Sequence, residues 1–170
     1  MARLDVRLIN PFLDAAINVL RTMAGVEPKV GRPYLKKDTV AFGDVSGIIG
    51  VTGAEKGSMS LSFSEPAILT IVSNLVGVPV TEINEEVKDA VGELTNMICG
   101  DARRRLQDLG VTLQAGTPTV VSGKGHSISH FHDGPFIGVT FEIDSGSFVV
   151  EVAFGEHRSL EQAAARSARA

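Results

Sequence analysis

The tetrapeptide I-G-V-T occurs twice, at Ile49–Thr52 and at Ile137–Thr140. Each copy is followed by a turn ending in Gly-Ser, at Gly57-Ser58 and Gly146-Ser147, and then by an apolar strand pattern. Upstream, M-A-G at Met23–Gly25 and I-C-G at Ile98–Gly100 hold matching positions in helical patterns. The shared order and turn position point to a duplicated helix–strand–hairpin unit, over about 8–64 and 85–154. Duplication constrains the fold, because two such halves pool their strands into one sheet with the helices against it. The expected class is α+β, with a mainly antiparallel sheet.

The chain has 170 residues, 44% of them hydrophobic, which suits one globular domain or two small repeats sharing a core. We expect a single domain over 1–155 and a frayed or disordered Ala/Arg-rich tail over 156–170, with a terminal helix as the alternative. No disulfide or metal is required for stability at this length, and the single cysteine, Cys99, forbids an intrachain disulfide. It is consistent with a reducing cytoplasm. A formal charge of -4 argues against a general nucleic-acid surface. No stretch reads as a membrane span or a signal peptide.

Residues 8–24 read as a helix with Asn10 as a candidate cap, Pro11 in its first turn and Gly25 at its end. Residues 26–45 read as strand-like pieces broken by Gly31 and Pro33. Two strands follow around A-E-K-G, the second alternating small polar residues with Met59, Leu61 and Phe63. Pro66 opens a helix that Gly77 ends, and a long helix runs from near Glu85 to about Leu109. In the last third, T-P-T-V-V-S-G and S-I-S-H-F are short strand candidates, and a clear hairpin turns at Asp144-Ser145-Gly146.

The long helix carries the candidate site. At about 100° per residue, Val87, Val91, Leu94, Ile98 and Ala102 form a core stripe. Glu93, Asn96, Gly100 and Arg103 gather on the opposite side, with Met97 between the faces. An exposed Glu or Asn alone needs no explanation. A glycine inside a helix costs about 1 kcal/mol relative to alanine, so Gly100 reads either as clearance for an approaching molecule or as a kink. The strip is thus a recognition face or a solvated face. Matching Gly25 to Gly100 sets Asn18 opposite Glu93 and Arg21 opposite Asn96, so the first half lacks the acid–amide pair. The run Arg103-Arg104-Arg105 is either a solvated flank or a contact for an acidic partner.

Three features together, N-P-F-L-D-A-A-I-N-V-L-R-T-M-A-G, E-L-T-N-M-I-C-G and the two I-G-V-T hairpins, carry a resemblance. The sequence resembles the CheX branch of the CheC/CheX/FliY family of chemotaxis phosphatases, from about Leu4 to Gly155. The CheC branch usually bears the acid–amide pair in both halves and the CheX branch in one, as here. The resemblance implies a CheC/CheX-like fold and a phosphatase acting on a phosphorylated CheY-like response regulator. It implies catalytic roles for Glu93, which docks on the regulator's active-site lysine, and Asn96, which positions the attacking water. Gly100, Arg103 and Arg104 fall at the implied partner interface. No cofactor of its own is implied, and the Mg2+ belongs to the regulator. The resemblance also implies a homodimer formed through sheet edges, for which V-V-E-V and S-L-S-F are compatible strands. A noncatalytic module that binds a regulator or a flagellar switch component is the alternative.

Other candidates are weaker. H-S-I-S-H-F-H offers His126, His130 and His132 as zinc ligands, as a partner or oligomer edge, or as ordinary surface histidines. G-K-G-H is not a phosphate-binding loop, because the full motif and its helix are absent. Asp38, Asp44 and Glu65 show no paired-carboxylate logic, and Cys99, on the helix flank, reads as structural.

Overall fold

The computed structural model describes residues 5–130 and 135–155. The first helix, α1 (Val6–Ala24), starts at Asp5, whose carboxylate accepts from the Arg7 backbone N–H at 3.0 Å. This corrects the Asn10–Pro11 start expected from sequence. Aspartate is a strong N-cap, and the added turn buries Ile9. Pro11 then lies inside the helix, where the ladder bond it lacks is offset by burial of Pro11, Phe12 and Leu13. Gly25 ends α1 in the left-handed conformation, φ 64°.

The strand β1 (Lys29–Lys36) is continuous despite Gly31 and Pro33, because the register shifts between Val30 and Pro33 and absorbs both. An edge strand tolerates the missing Pro33 donor. The expected pieces are therefore one bulged strand. β2 (Val45–Gly53) and β3 (Gly57–Phe63) form the first hairpin. α2 (Glu65–Val76) is capped by Ser64 and stopped by Gly77. α3 (Glu85–Asp108) is capped by Asn84, whose side chain accepts from the Val87 N–H at 3.0 Å. Glu85 and Glu86 in its first turn suit the positive end of the helix dipole. β4 (Leu113–Ala115), β5 (Thr119–Ser122) and the hairpin β6 (Phe136–Ile143) and β7 (Gly146–Phe154) complete the described elements. The short β4 was not expected from the sequence.

The seven described strands form one sheet in the order β1-β6-β7-β3-β2-β4, with β5 also on β2, and every pair is antiparallel. The duplication is visible as a reflection of this order about the β3–β7 pair. The halves also exchange strands: β1 of the first half pairs with β6 of the second, while β4 and β5 pair back with β2. β3 and β7, which contain S-L-S-F and V-V-E-V, are thus the two central strands. This corrects their reading as edges. Among the described residues the edges are β1 on one side and β4 with β5 on the other.

All three helices pack on one face, where Phe12, Ile71 and Ile98 meet Met59, Leu61, Phe63, Phe141, Phe148 and Val150 in one core. The second face carries Ser46, Ser58, Ser60, Ser62 and Glu151, and these are buried too. Two loops cover it: Ala41 N–H bonds the His126 carbonyl at 2.9 Å, Ile128 N–H bonds the Thr39 carbonyl at 2.7 Å, and Val40 bridges Ser127. In S-I-S-H-F, residues 127–130 form this loop rather than the expected strand, and Phe131 lies outside the described residues. So does the 156–170 tail, with the frayed state expected of it. No described helix is long and apolar enough to cross a membrane.

Candidate functional site

α3 presents the faces its periodicity predicts. Val87, Val91, Leu94, Ile98 and Ala102 are buried, Glu93 and Asn96 are exposed, and Met97 is half-buried. Three-residue spacing puts Glu93 and Asn96 about one turn apart on the same outward strip. Gly100 continues the strip in helical geometry, and a side chain there would meet nothing within 4 Å. Internal packing therefore does not require the glycine. α3 also runs on through Gly100 to Asp108, whereas α1 stops at the matching Gly25, because Ala102 and Leu106 give the second helix further buried anchors.

The first half has spent the matching positions otherwise. Asn18, opposite Glu93, donates from Nδ2 to Asp101 Oδ2 at 3.4 Å and ties α1 to α3. Arg21, opposite Asn96, donates from Nε to Glu27 Oε1 at 2.7 Å.

The arginine run splits. Arg103 Nε donates to the Leu113 carbonyl at 2.9 Å, which fastens α3 to β4. Arg104 pairs with Asp101 Oδ1, and Arg105 Nε reaches Asp101 Oδ2 at 3.0 Å. Asp101 is buried, so this hub is the structural reason for at least two of the three arginines. Arg104 keeps an exposed side chain, and a shallow cleft of about 160 Å3 beside it is lined by Gly100, Arg103, Gln107 and Thr112. A larger cavity of about 600 Å3 lies away from Glu93, between the start of α1 and the end of α3, where Leu8, Pro11, Leu106 and Val111 line it.

Cys99 lies in the core rather than on the flank, and burial pushes its thiol up to about 11. It is protonated at neutral pH and a poor nucleophile, as a structural role requires.

The histidines face the covered side of the sheet. His126 Nε2 lies 2.7 Å from Ser46 Oγ, and its Nδ1 lies 2.6 Å from the Gly123 carbonyl. His130 Nδ1 lies 2.5 Å from Ser58 Oγ, and its Nε2 lies 3.6 Å from Glu151 Oε2. Lys36 Nζ donates to Glu151 Oε1 at 2.6 Å. Burial pushes the Glu151 carboxyl up, but contacts from His130 and Lys36 outweigh it and hold the group below the usual carboxylate range. Sequence reasoning missed this buried trio. Its one signal was an acid inside the apolar run V-V-E-V-A-F. Among the described residues no cluster of three or more His, Cys, Asp or Glu is placed to hold a metal, and His132 lies outside them.

A family model described as chemotaxis phosphatase CheX matches residues 45–142, a span that contains Glu93, Asn96, Gly100, Arg103 and Arg104. The CheY-P phosphatase CheX of Thermotoga maritima is 33% identical over 129 residues, which is 75% of this chain and 83% of that protein. The chain belongs to the CheX family. A solved CheC-like superfamily protein from Shewanella sp. PV-4 shares 48% identity at a TM-score of 0.85, covering 90% of this chain and all (100%) of that one. The CheX chain of the Borrelia burgdorferi CheX–CheY–BeF3–Mg2+ complex is 29% identical at a TM-score of 0.76, over 91% of this chain and 100% of that chain. The wider CheC/CheX/FliY family is thus the one its repeat and motifs resembled.

Proposed function

We propose that this CheX-family protein accelerates hydrolysis of the aspartyl phosphate on a CheY-like response regulator. The observation that carries the reading is the pairing of Glu93 and Asn96 on one exposed strip of a helix whose other face is locked in the core. The Borrelia relative, solved with CheY, BeF3 and Mg2+, supports a regulator as the partner.

An acyl phosphate is already reactive, so a helper chiefly has to orient water in line with the departing carboxylate. In this scheme the Asn96 amide does so, its carbonyl accepting from the water while its NH2 donates. The water oxygen bonds to phosphorus, the bond from phosphorus to the aspartyl oxygen breaks to release the carboxylate, and inorganic phosphate leaves carrying both of the water's protons. The Glu93 carboxylate docks on a lysine of the regulator and sets the register. Gly100 leaves room for the regulator's loops, and Arg103 and Arg104 border that contact. Charge neutralisation by Mg2+ comes with the regulator. Such a mechanism uses a projecting helix rather than a deep pocket.

The test is decay of radiolabelled aspartyl phosphate on each response regulator of the source organism, with and without this protein. Faster decay on one regulator is expected. Binding without faster decay would sink the catalytic reading and leave the noncatalytic module. For the homodimer we propose β1 as the shared edge. It is the longer edge, and Val30, Tyr34 and Leu35 on it are exposed, whereas β4 and β5 have 3 and 4 residues.

A further inference from the structure

Beneath the Glu93–Asn96 strip, β2 passes under α3 at Gly47. This glycine is buried, pairs with Leu61 and Val120 on its neighbours, and has no positive φ, so its backbone does not demand glycine. Space does. A β-carbon at Gly47 would overlap Thr95 Oγ1 and lie 3.2 Å from Thr95 Cβ and 3.3 Å from Val91 Cγ1. Thr95 lies between Glu93 and Asn96 in the chain, is wholly buried, and donates from Oγ1 to the Val91 carbonyl at 2.7 Å. It can yield only by turning about χ1, which breaks that buried bond. Its Cβ does not move with χ1, so the remaining crowding acts on the helix backbone itself. The two glycines of α3 differ. A β-carbon at Gly92 would make an ordinary 3.4 Å contact with Val120 Cγ2, and one at Gly100 would meet nothing within 4 Å.

We propose that Gly47 is a positioning residue for the phosphatase site: its missing side chain seats Thr95 and so sets how far α3, with Asn96, stands off the sheet. The proposal rests on the reading above that Asn96 orients the attacking water. A side chain at Gly47 lifts α3 by a few tenths of an ångström at the residue next to Asn96. In-line attack is steep in distance, and a displacement near 1 Å costs about 10²-fold. A smaller lift lowers turnover by roughly 10-fold while leaving the exposed docking surface in place.

The test compares wild type, Gly47→Ala, Thr95→Ala, the double variant and Gly92→Ala in the full chain. It measures aspartyl-phosphate decay at saturating protein, the half-saturating concentration, the thermal midpoint and the Asn96 side-chain amide resonances. Gly47→Ala is expected to lose turnover by about 10-fold with half-saturation nearly unchanged, and to shift the Asn96 resonances. Removing the Thr95 hydroxyl and methyl in the double variant restores most of the rate, and Gly92→Ala stays close to wild type. Thr95→Val probes the same seat from the helix side, should Gly47→Ala not fold, and a several-fold loss is expected because a methyl replaces the smaller oxygen. Wild-type turnover in both Gly47→Ala and Thr95→Val overturns the proposal, as does a Gly47→Ala loss that Thr95→Ala fails to relieve. If wild type itself leaves decay unchanged, the phosphatase reading fails. Asn96 resonances unmoved in Gly47→Ala then overturn the seat separately.

Discussion

In the proposed mechanism Asn96 and Glu93 divide two tasks that different measurements separate. Asn96→Ala removes the donor and acceptor that hold the water but leaves the docking acid. Turnover should fall roughly 10²-fold with regulator affinity unchanged, and an aspartyl-phosphate decay assay checks this. Equal decay rates would remove Asn96 from the mechanism. Glu93→Ala should weaken binding as well as slow turnover, because it takes away the charge proposed to meet the lysine. Titration with a beryllofluoride-loaded regulator reads the first effect, and an affinity equal to wild type would contradict docking. The exposure of both residues was legible, because an exposed face follows from spacing alone. Asp101 was not. Its carboxylate gathers Asn18, Arg104 and Arg105 from two helices, and only one of those helices is local in sequence.

At the scale of the element, α3 behaves as its amphipathic pattern requires, and Gly100 is the position that pattern leaves unexplained. A side chain there meets open space and the residue is helical. Gly100→Gln should therefore stabilise the isolated protein, by up to about 1 kcal/mol. The thermal midpoint would rise by roughly 2–4 °C for a chain of this size. The same variant should weaken the regulator complex, because the new side chain fills the clearance proposed for the regulator's loops. Calorimetric melting and binding titration settle the sign, and a variant less stable than wild type would point to a folding role for the glycine. At the other helix, the start of α1 was misread because two N-terminal signals competed. Asn10–Pro11 has the expected local chemistry, yet Asp5 starts the helix earlier and gains the burial of Ile9. Burial in the core arbitrated between them.

The whole molecule is interleaved, since each half completes the other's hairpin with a strand. The edges that result bear on assembly. Leu35 on β1 is 59% exposed, and Leu35→Glu should convert the expected dimer to monomer in light scattering, with the thermal midpoint little changed. A persistent dimer would move the interface to another surface. The covered face sets a pH dependence. The folded-state pKa of Glu151 is lowered, so its contribution to stability is complete above the unfolded carboxylate value of about 4.3. It is lost as pH falls through the lower folded value. Urea midpoints of wild type should thus fall more steeply below about pH 4.5 than those of Glu151→Gln. At neutral pH the variant should already be weaker by about 3 kcal/mol, because Lys36, largely shielded from solvent, loses its carboxylate partner and keeps only the Val40 carbonyl. Parallel pH profiles would deny the ion pair this role.

What the sequence determined by itself is local or repeated. The I-G-V-T copies announced a shared sheet, helical spacing separated the inner and outer faces of α3, and comparison of Asn18 and Arg21 with Glu93 and Asn96 showed that one half carries the pair. The tertiary structure alone decided which strands meet. S-L-S-F and V-V-E-V were compatible with edge strands, yet β3 and β7 lie at the centre. Alternation also distinguished the serine side of β3 from its apolar side, but not that two distant loops bury the serines. Gly47 gave no sign of its contact with Thr95, 48 positions later in the chain. The physical reason is range. Periodicity and caps act over one or two turns, where backbone geometry places the neighbours. Strand order, coverage and helix seating arise when residues far apart in sequence compete for the same buried space.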